Sequence, residues 1–393
     1  MIKGVVIGAS RDAVHTIKKA KEHGIYVIAL DGNPKADGFN YADESIVVDI
    51  SNVDNVCKVI EEVSPDFTIP IPIGRYLSTT GFVNDKYGFK GINYAATRYS
   101  TDKFLFHKKL EEHGLRNIQM YLANADTNTD DIDIEYPAIL KPRYGSGSRD
   151  IFFVNSDIEL KKAIVEVRKR EEDFIAEQAV EGTEYSIDGA VINGKLEITL
   201  LRKKIITPIP VRQPISSFAV VKDEEGSALY ARVQTYMSDV VKALEYNNCL
   251  VNADLIINDR EVFAIEAAPR PSGHNLHNVF VPLSTKVDIA EEYIKYLLGE
   301  PYNFITSEIE QIQIRFFDFN DIRIENVPEE KFLREKLGND LIMWNCKISE
   351  GEHLEKVING HSIMGRGFFI VRGVNEKELI ERSEWILKQF DIK

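Results

Sequence analysis

The sequence predicts an α/β region followed by two α+β regions, over residues 1–98, 99–298 and 299–393. Three observations predict this. Apolar runs alternate with helical patterns through the first hundred residues, short alternating strands mixed with longer helical patterns occupy the middle, and a strand-rich stretch closes on one helix. A chain of 393 residues is too long for one ordinary core, so several domains around a cleft are expected.

In the first region GVVIGAS, DAVHTIKKAKEHG and IYVIALDG, then VDNVCKVIEEV and DFTIPIPIG, give a βαβ rhythm and hence a parallel sheet with crossover helices. Gly4 and Gly8 do not supply the GxGxxG spacing that lets a backbone approach a pyrophosphate, so a plain strand-to-helix turn is expected. Asp31, followed by Gly32, Asn33 and Pro34, reads as turn chemistry.

In the middle region, Thr101 or Ser100 is the expected N-cap of DKFLFHKKLEEH, which Gly114 would end. Lys103 then lies in the first turn, where a cation opposes the helix macrodipole by about 0.3–1 kcal/mol unless an anion is bound nearby. A solvated lysine offset by Asp102 is the alternative. Lys141 ends the strand AILK between Pro137 and Pro142, and the loop Tyr144, Gly145, Ser146, Gly147, Ser148 and Arg149 follows. Such a loop can turn successive backbone NH groups and hydroxyls toward phosphate oxygens. It is no Walker loop, and it lacks the GxSxG of a serine hydrolase.

Alternation in FIAEQAVEGTEYSID puts Glu184, Ser186 and Asp188 on one face, a pattern that an edge strand with a solvated face would share. Asp254 and Glu266 lie on two strand patterns joined by Asn258, Asp259 and Arg260; a hairpin centred on Arg260 sets the carboxylates opposite each other, where like charges destabilise a sheet. A divalent cation would remove that penalty, and oxygen donors suit Mg²⁺ bridging phosphates. Helices are expected near 156–171, 226–246 and 285–298. PYNFITSEI reads as a linker, and QIQIRFF, LIMWNCKI, GFFIVRG and NEKELIERSEWILKQF suggest a small closing α+β unit.

Composition excludes several classes. With 48 basic against 62 acidic residues the net charge is −14, which argues against nucleic acid as a partner. No run of about 18 apolar residues and no signal-peptide pattern is present, so a soluble cytoplasmic protein with no membrane partner is expected. Cys57, Cys249 and Cys346 have no metal-ligand spacing and are odd in number, against a disulfide framework. His274 and His277 are spaced i, i+3, but no third ligand accompanies them.

The ordered set of Lys103, Lys141 with YGSGSR, EQAVEGTEYSID and FAIEAAPRPSGHN resembles the ATP-grasp superfamily, especially its carboxylate-amine ligases such as L-amino-acid (dipeptide) ligases. More distant likenesses are to the carbamoyl-phosphate synthase large subunit, biotin carboxylase and the pyrrolysine-pathway ligase. The resemblance covers residues 1–298 or so and implies a pre-ATP-grasp domain, then a two-subdomain ATP-grasp fold with a lid subdomain at about 118–182. It further implies ATP with Mg²⁺ or Mn²⁺ as cofactors, small carboxylate and amine substrates, and often a homodimer. On this resemblance Lys103 and Lys141 meet the phosphates under a Tyr144–Arg149 lid, Glu177, Gln178 and Val180 meet the adenine, and Glu184 the ribose. Asp254 and Glu266 would hold the metal, and Arg270 with Lys141 the transferred phosphoryl group. Arg75, Arg212, Arg270, Ser272, Gly273, His274 and Asn275 are the candidate substrate contacts. One departure stands out: Ala268 occupies the place where the family usually has a metal-ligating asparagine. A ligase, an ATP-grasp kinase and a nucleotide-binding regulatory protein therefore all remain open.

Overall fold

A computed structural model of the chain describes all residues except 125, 146–150, 170–172, 209–211 and 358–359. The fold divides into two compact units that interleave along the sequence. The first comprises Met1–Asn117, Ser186–Leu201 and Ser227–Ser307; the second comprises Ile118–Tyr185, Arg202–Gly226 and Glu308–Lys393.

The first unit opens on the expected α/β layer. Strands β1 (Lys3–Ile7), β2 (Tyr26–Asp31), β3 (Glu44–Val47) and β4 (Phe67–Thr68) form a parallel sheet of order β3-β2-β1-β4. Helices α1 (Val14–Glu22) and α2 (Val53–Val63) are its crossovers, and α3 (Leu77–Tyr87) and α4 (Tyr94–Thr101) follow. The strands read as continuous apolar runs because both faces are covered. Val6, Val27 and Ala29 pack into one core with Ile17, and Val5, Ile7 and Ile28 into another with Val56 and Ile60. Gly8 takes a φ of +103°, which favours glycine, to leave β1. Asp31 closes the neighbouring turn, accepting from Ala9 N at 2.7 Å and Asn33 N at 2.8 Å.

Helix α5 (Lys103–Glu112) is capped differently from expectation. Asp102 is the N-cap, in extended geometry, and its carboxylate accepts from Phe104 N and Leu105 N at 3.0 and 3.2 Å. Ser100 and Thr101 end α4 instead, and their hydroxyls donate back to carbonyls of that helix, Ser100 Oγ to Thr97 O at 2.8 Å. Both residues have helical backbone within α4, whereas an N-cap needs the extended backbone that Asp102 adopts.

In the second unit β5 (Met120–Ala123), β6 (Ala138–Pro142), β7 (Phe152–Val154) and β8 (Phe174–Gln178) make an antiparallel sheet of order β5-β8-β6-β7. Helix α6 (Asp157–Arg168) covers it, burying Leu160, Ile164 and Val167 against Leu140 and Phe174.

Strands β9 (Thr183–Ile192) and β10 (Lys195–Ile206) carry residues of each unit. Strand β11 (Pro214–Ala219), helix α7 (Glu224–Ala243), and strands β12 (Cys249–Ile257) and β13 (Val262–Ala268) follow. Helix α7 starts earlier than expected because Asp223 accepts from Gly226 N at 2.8 Å, and it ends before Glu245, whose φ is +59°. Within the first unit the strand order is β13-β12-β9-β10, so β9 is an interior strand and not an edge with one solvated face. Its residues are buried from Ser186 onward. Gly189 is obligatory there, since a Cβ would sit 2.2 Å from Glu197 O on β10. Helices α8 (Val281–Thr285) and α9 (Ile289–Leu298) complete this unit, α9 capped by Asp288 and ended by Gly299.

The closing part of the second unit sets β11 beside β14 (Ile312–Phe316), with the antiparallel strands Gly367–Arg372 and Leu341–Cys346 beyond it. Phe218, Phe317, Leu341, Phe369 and Phe390 share its core, with Leu379 and Ile386 from the last helix, Glu376–Leu387. Among the described residues no helix is long and apolar enough to cross a membrane.

The cap assignment is testable. Asp102→Ala should destabilise the chain by at least about 1 kcal/mol in urea unfolding, and Ser100→Ala by much less.

Candidate functional site

Each unit presents its own cluster of candidate residues. In the second unit the centre is Lys141. The sheet register sets Ile139 opposite Glu177 and Lys141 opposite Ile175, so Lys141 and Glu177 are diagonal neighbours on one face. A lysine is long enough to span that diagonal. Its ammonium donates to Glu177 Oε1 at 2.6 Å, with both residues only 6% exposed. Tyr144 and Gly145 follow on an exposed turn, with the Arg143 guanidinium 5.1 Å from the Tyr144 ring. Ser146, Gly147, Ser148 and Arg149 lie outside the described residues.

Just beyond β8, Gln178 donates its side-chain amide to Glu135 at 2.9 Å, and Ala179 N donates to Pro137 O at 2.8 Å, while Val180 is half-buried. These bonds tie Gln178 and Ala179 to the segment that leads into β6. Glu184 is ion-paired with Arg212 and lies 3.6 Å from Lys204. Arg212, at a φ of +42°, also lies over the Phe153 ring at 5.4 Å. One candidate substrate residue and the candidate ribose acceptor are thus partners in this structure.

In the first unit the centre is the hairpin β12–β13. Its closing pairs are Ile257 with Val262, Ile256 with Phe263 and Leu255 with Ala264. Continued without interruption, that register would set Asp254 against Ile265. A β-bulge adds one residue on β13, and Asp254 faces Glu266. The juxtaposition expected from a hairpin centred on Arg260 is therefore present, although the turn is not centred there. Ser186 on β9 donates to Asp254 Oδ1 at 2.5 Å and orients that carboxylate.

Arg270 leaves β13 toward the same carboxylates. Burial draws its guanidinium below the ordinary arginine value, while Glu266, Asp254, Asp12 and Asp188 act in the opposite sense. Four acids from four segments thus act electrostatically on one guanidinium, whose Nη1 donates to Pro271 O at 2.8 Å. Asp188 is fully buried and accepts from Ser272 Oγ at 2.5 Å. Gly273 brings the backbone close to Asp12, since a Cβ there would lie 3.1 Å from Asp12 Oδ2. His274 and Asn275 take left-handed φ values of 58° and 62°. Behind them His277 is fully buried, its Nδ1 bonded to the Ser272 carbonyl. Only a protonated Nδ1 can donate to a carbonyl, so Nε2 carries the lone pair. Lys103 is half-buried at the first position of α5. Arg75 is exposed, bonded to the Tyr76 hydroxyl at 3.0 Å.

The description "ATP-grasp domain" matches residues 100–274. The carbamoyl phosphate synthase large chain of Halobacterium salinarum is 23% identical over 305 residues, 73% of this chain but only 28% of that protein. An L-amino acid ligase from Bacillus licheniformis has the same fold, with a TM-score of 0.83 at 14% identity over 100% of this chain and 98% of that one. N5-carboxyaminoimidazole synthetase from Staphylococcus aureus, solved with ADP, has a TM-score of 0.71 at 14% identity, covering 98% of this chain and 97% of the other.

The matched stretch 100–274 contains every candidate site residue except Arg75 and Asn275. Sequence reading left three participants without a role: Asp12, Ser186 and Asp188. Ser186 and Asp188 were visible as polar positions on the Glu184 face, yet nothing in alternation distinguishes a buried acid from a solvated one. Among the described residues no group of three or more His, Cys, Asp or Glu is arranged to hold a metal; Asp254 and Glu266 are a pair set across the hairpin.

Two outcomes check the electrostatics. A double-mutant cycle of Lys141→Met and Glu177→Leu should report a favourable coupling of about 0.5–3 kcal/mol by urea unfolding. Burial, and then the neighbouring His15, lower the His277 imidazole from 6.5 to about 4. Between those values the unfolded chain binds the extra proton, so this contribution to stability is complete above pH 6.5 and falls away toward pH 4, by about 3 kcal/mol in total. His277→Gln should remove that component from urea midpoints measured across the same range.

Proposed function

We propose that the chain is an ATP-dependent ligase that joins a small carboxylate, an amino acid by preference, to an amine through an acyl phosphate, releasing ADP and phosphate. The observation that carries this reading is the Asp254–Glu266 pair beside Arg270, inside the ATP-grasp domain. Two like charges set directly across an antiparallel pair destabilise the sheet, and a hard divalent cation offsets them. Mg²⁺ is commonly held by one or two carboxylates together with substrate phosphates, so these residues fit it. When bound, the ion neutralises charge on the phosphates.

The remaining roles belong to the chain's own groups. Lys103 and Lys141 balance phosphate charge, with Tyr144 to Arg149 as the lid. The backbone at Glu177, Gln178 and Val180 lines the adenine. Glu184 accepts from ribose hydroxyls, since a carboxylate paired with arginine retains acceptor capacity. A carboxylate is a poor acyl donor because its leaving group would be oxide, and phosphorylation turns that oxygen into phosphate. Arg270 and Lys141 stabilise charge during the transfer, which needs positioning and electrostatics more than covalent help. The amine nitrogen then attacks the acyl carbon, phosphate leaves with the C–O bonding pair, and the nitrogen loses a proton to give the amide. Closing the lid excludes water from the acyl phosphate. Arg75, Arg212, Ser272, Gly273, His274 and Asn275 are the proposed substrate contacts. The division at residues 98 and 298, a homodimer and a cytoplasmic setting belong to the same reading.

Ala268 favours a second reading, a regulatory protein that binds Mg-ATP without turnover, because alanine offers no side-chain ligand. A kinase that stops at the phosphorylated acid would need no amine. Purified chain with Mg-ATP and pairwise mixtures of amino acids and small amines decides among them, with ADP, phosphate and products followed by mass spectrometry. Phosphate release requiring both a carboxylate and an amine is expected, and Lys141→Ala or Glu266→Ala should each lower it by roughly 100-fold or more. Binding of Mg-ATP with no release would select the regulatory reading, and ADP formation without an amine the kinase.

A further inference from the structure

We infer that Asn252 is a third side-chain donor to the divalent cation, placed on the strand opposite the bare position Ala268. The inference rests on the metal assignment proposed above. In β12 residues two apart share a face, so Asn252 and Asp254 point to the same side of the sheet. The register sets Asn252 against Ala268 and Asp254 against Glu266. Four neighbouring positions therefore make one patch with Asn252, Asp254 and Glu266 at three corners and a methyl group at the fourth. The small alanine leaves space beside the amide that a longer side chain would fill.

The amide is oriented for such a role. Asn252 Nδ2 donates to Ile187 O on β9 at 3.0 Å. Only the amino end of an amide can donate to a carbonyl, which identifies the other end as the oxygen and turns it away from that bond. Oδ1 accepts no hydrogen bond among the described residues, and the residue is half-buried. Asparagine is disfavoured in strands, and its one bond to β9 leaves the acceptor unexplained. A neutral carbonyl oxygen is a good ligand for a hard cation, and it adds no further like charge to the patch. Ser186, which donates to Asp254 Oδ1, acts as a positioning residue for the acid and not as a donor to the ion.

The test uses the full chain and Mn²⁺ alone, with free ion followed by electron paramagnetic resonance. Asn252→Ala should weaken Mn²⁺ binding roughly tenfold, Glu266→Ala by more, and Asn252→Asp should keep or strengthen it. Moving the donor across the strand pair, in Asn252→Ala with Ala268→Asn, should recover most of the loss, which a merely structural asparagine would not allow. Should Asn252→Ala fail to fold by circular dichroism, Asn252→Ser and Asn252→Asp carry the comparison. Loss in Glu266→Ala with unchanged binding in Asn252→Ala overturns the Asn252 role alone. Absent Mn²⁺ binding in the parent chain, or unchanged binding in Glu266→Ala, overturns the metal assignment and this inference with it.

Discussion

Two carboxylates facing each other across an antiparallel strand pair form the constraint on which the candidate site turns. Left alone, Asp254 and Glu266 repel, and a sheet selected for stability would not keep them opposed. The fold departs from regular pairing to bring them together, since the extra residue on β13 restores a juxtaposition that the turn would otherwise miss by one position. A one-residue slip in a strand exchanges its faces, so this bulge decides whether Glu266 shares a face with Asp254 at all. Ser186 then holds one oxygen of Asp254, and Arg270 enters the field of both acids.

The second unit uses the same grammar with opposite charges. Lys141 and Glu177 meet along a sheet diagonal and are buried together, which a lone lysine could not be at small cost. Their pairing keeps an ammonium fixed in a strand and not waving from a loop. Glu184, Arg212 and Lys204 form a neighbouring charged group of the same unit. Sites built on strands are more rigid than sites built on loops, and Lys141, Glu177, Glu184, Asp254 and Glu266 all lie on strands.

Much of this was legible beforehand, and the misses have physical reasons. The βαβ rhythm of residues 3–68 corresponds to the parallel sheet because long apolar runs with turn residues between them admit few alternatives. The cap of α5 differs from expectation because Ser100, Thr101 and Asp102 are all good caps, and only the backbone, helical at the first two and extended at Asp102, separates them. The β9 strand could not be told from an edge strand, since alternation is the same whether one face is wet or covered.

Local pattern by itself determined which segments become strands and helices and which acids, lysines and arginine are chemically notable, because those depend on neighbours within a few residues. Tertiary structure alone decided that Asp12, Asp188, Asp254 and Glu266 all act on the Arg270 charge, and that Asn252 stands across from Ala268. Such facts depend on register, burial and bulges, which are settled by packing between segments up to about 250 residues apart and leave no periodic trace in the chain.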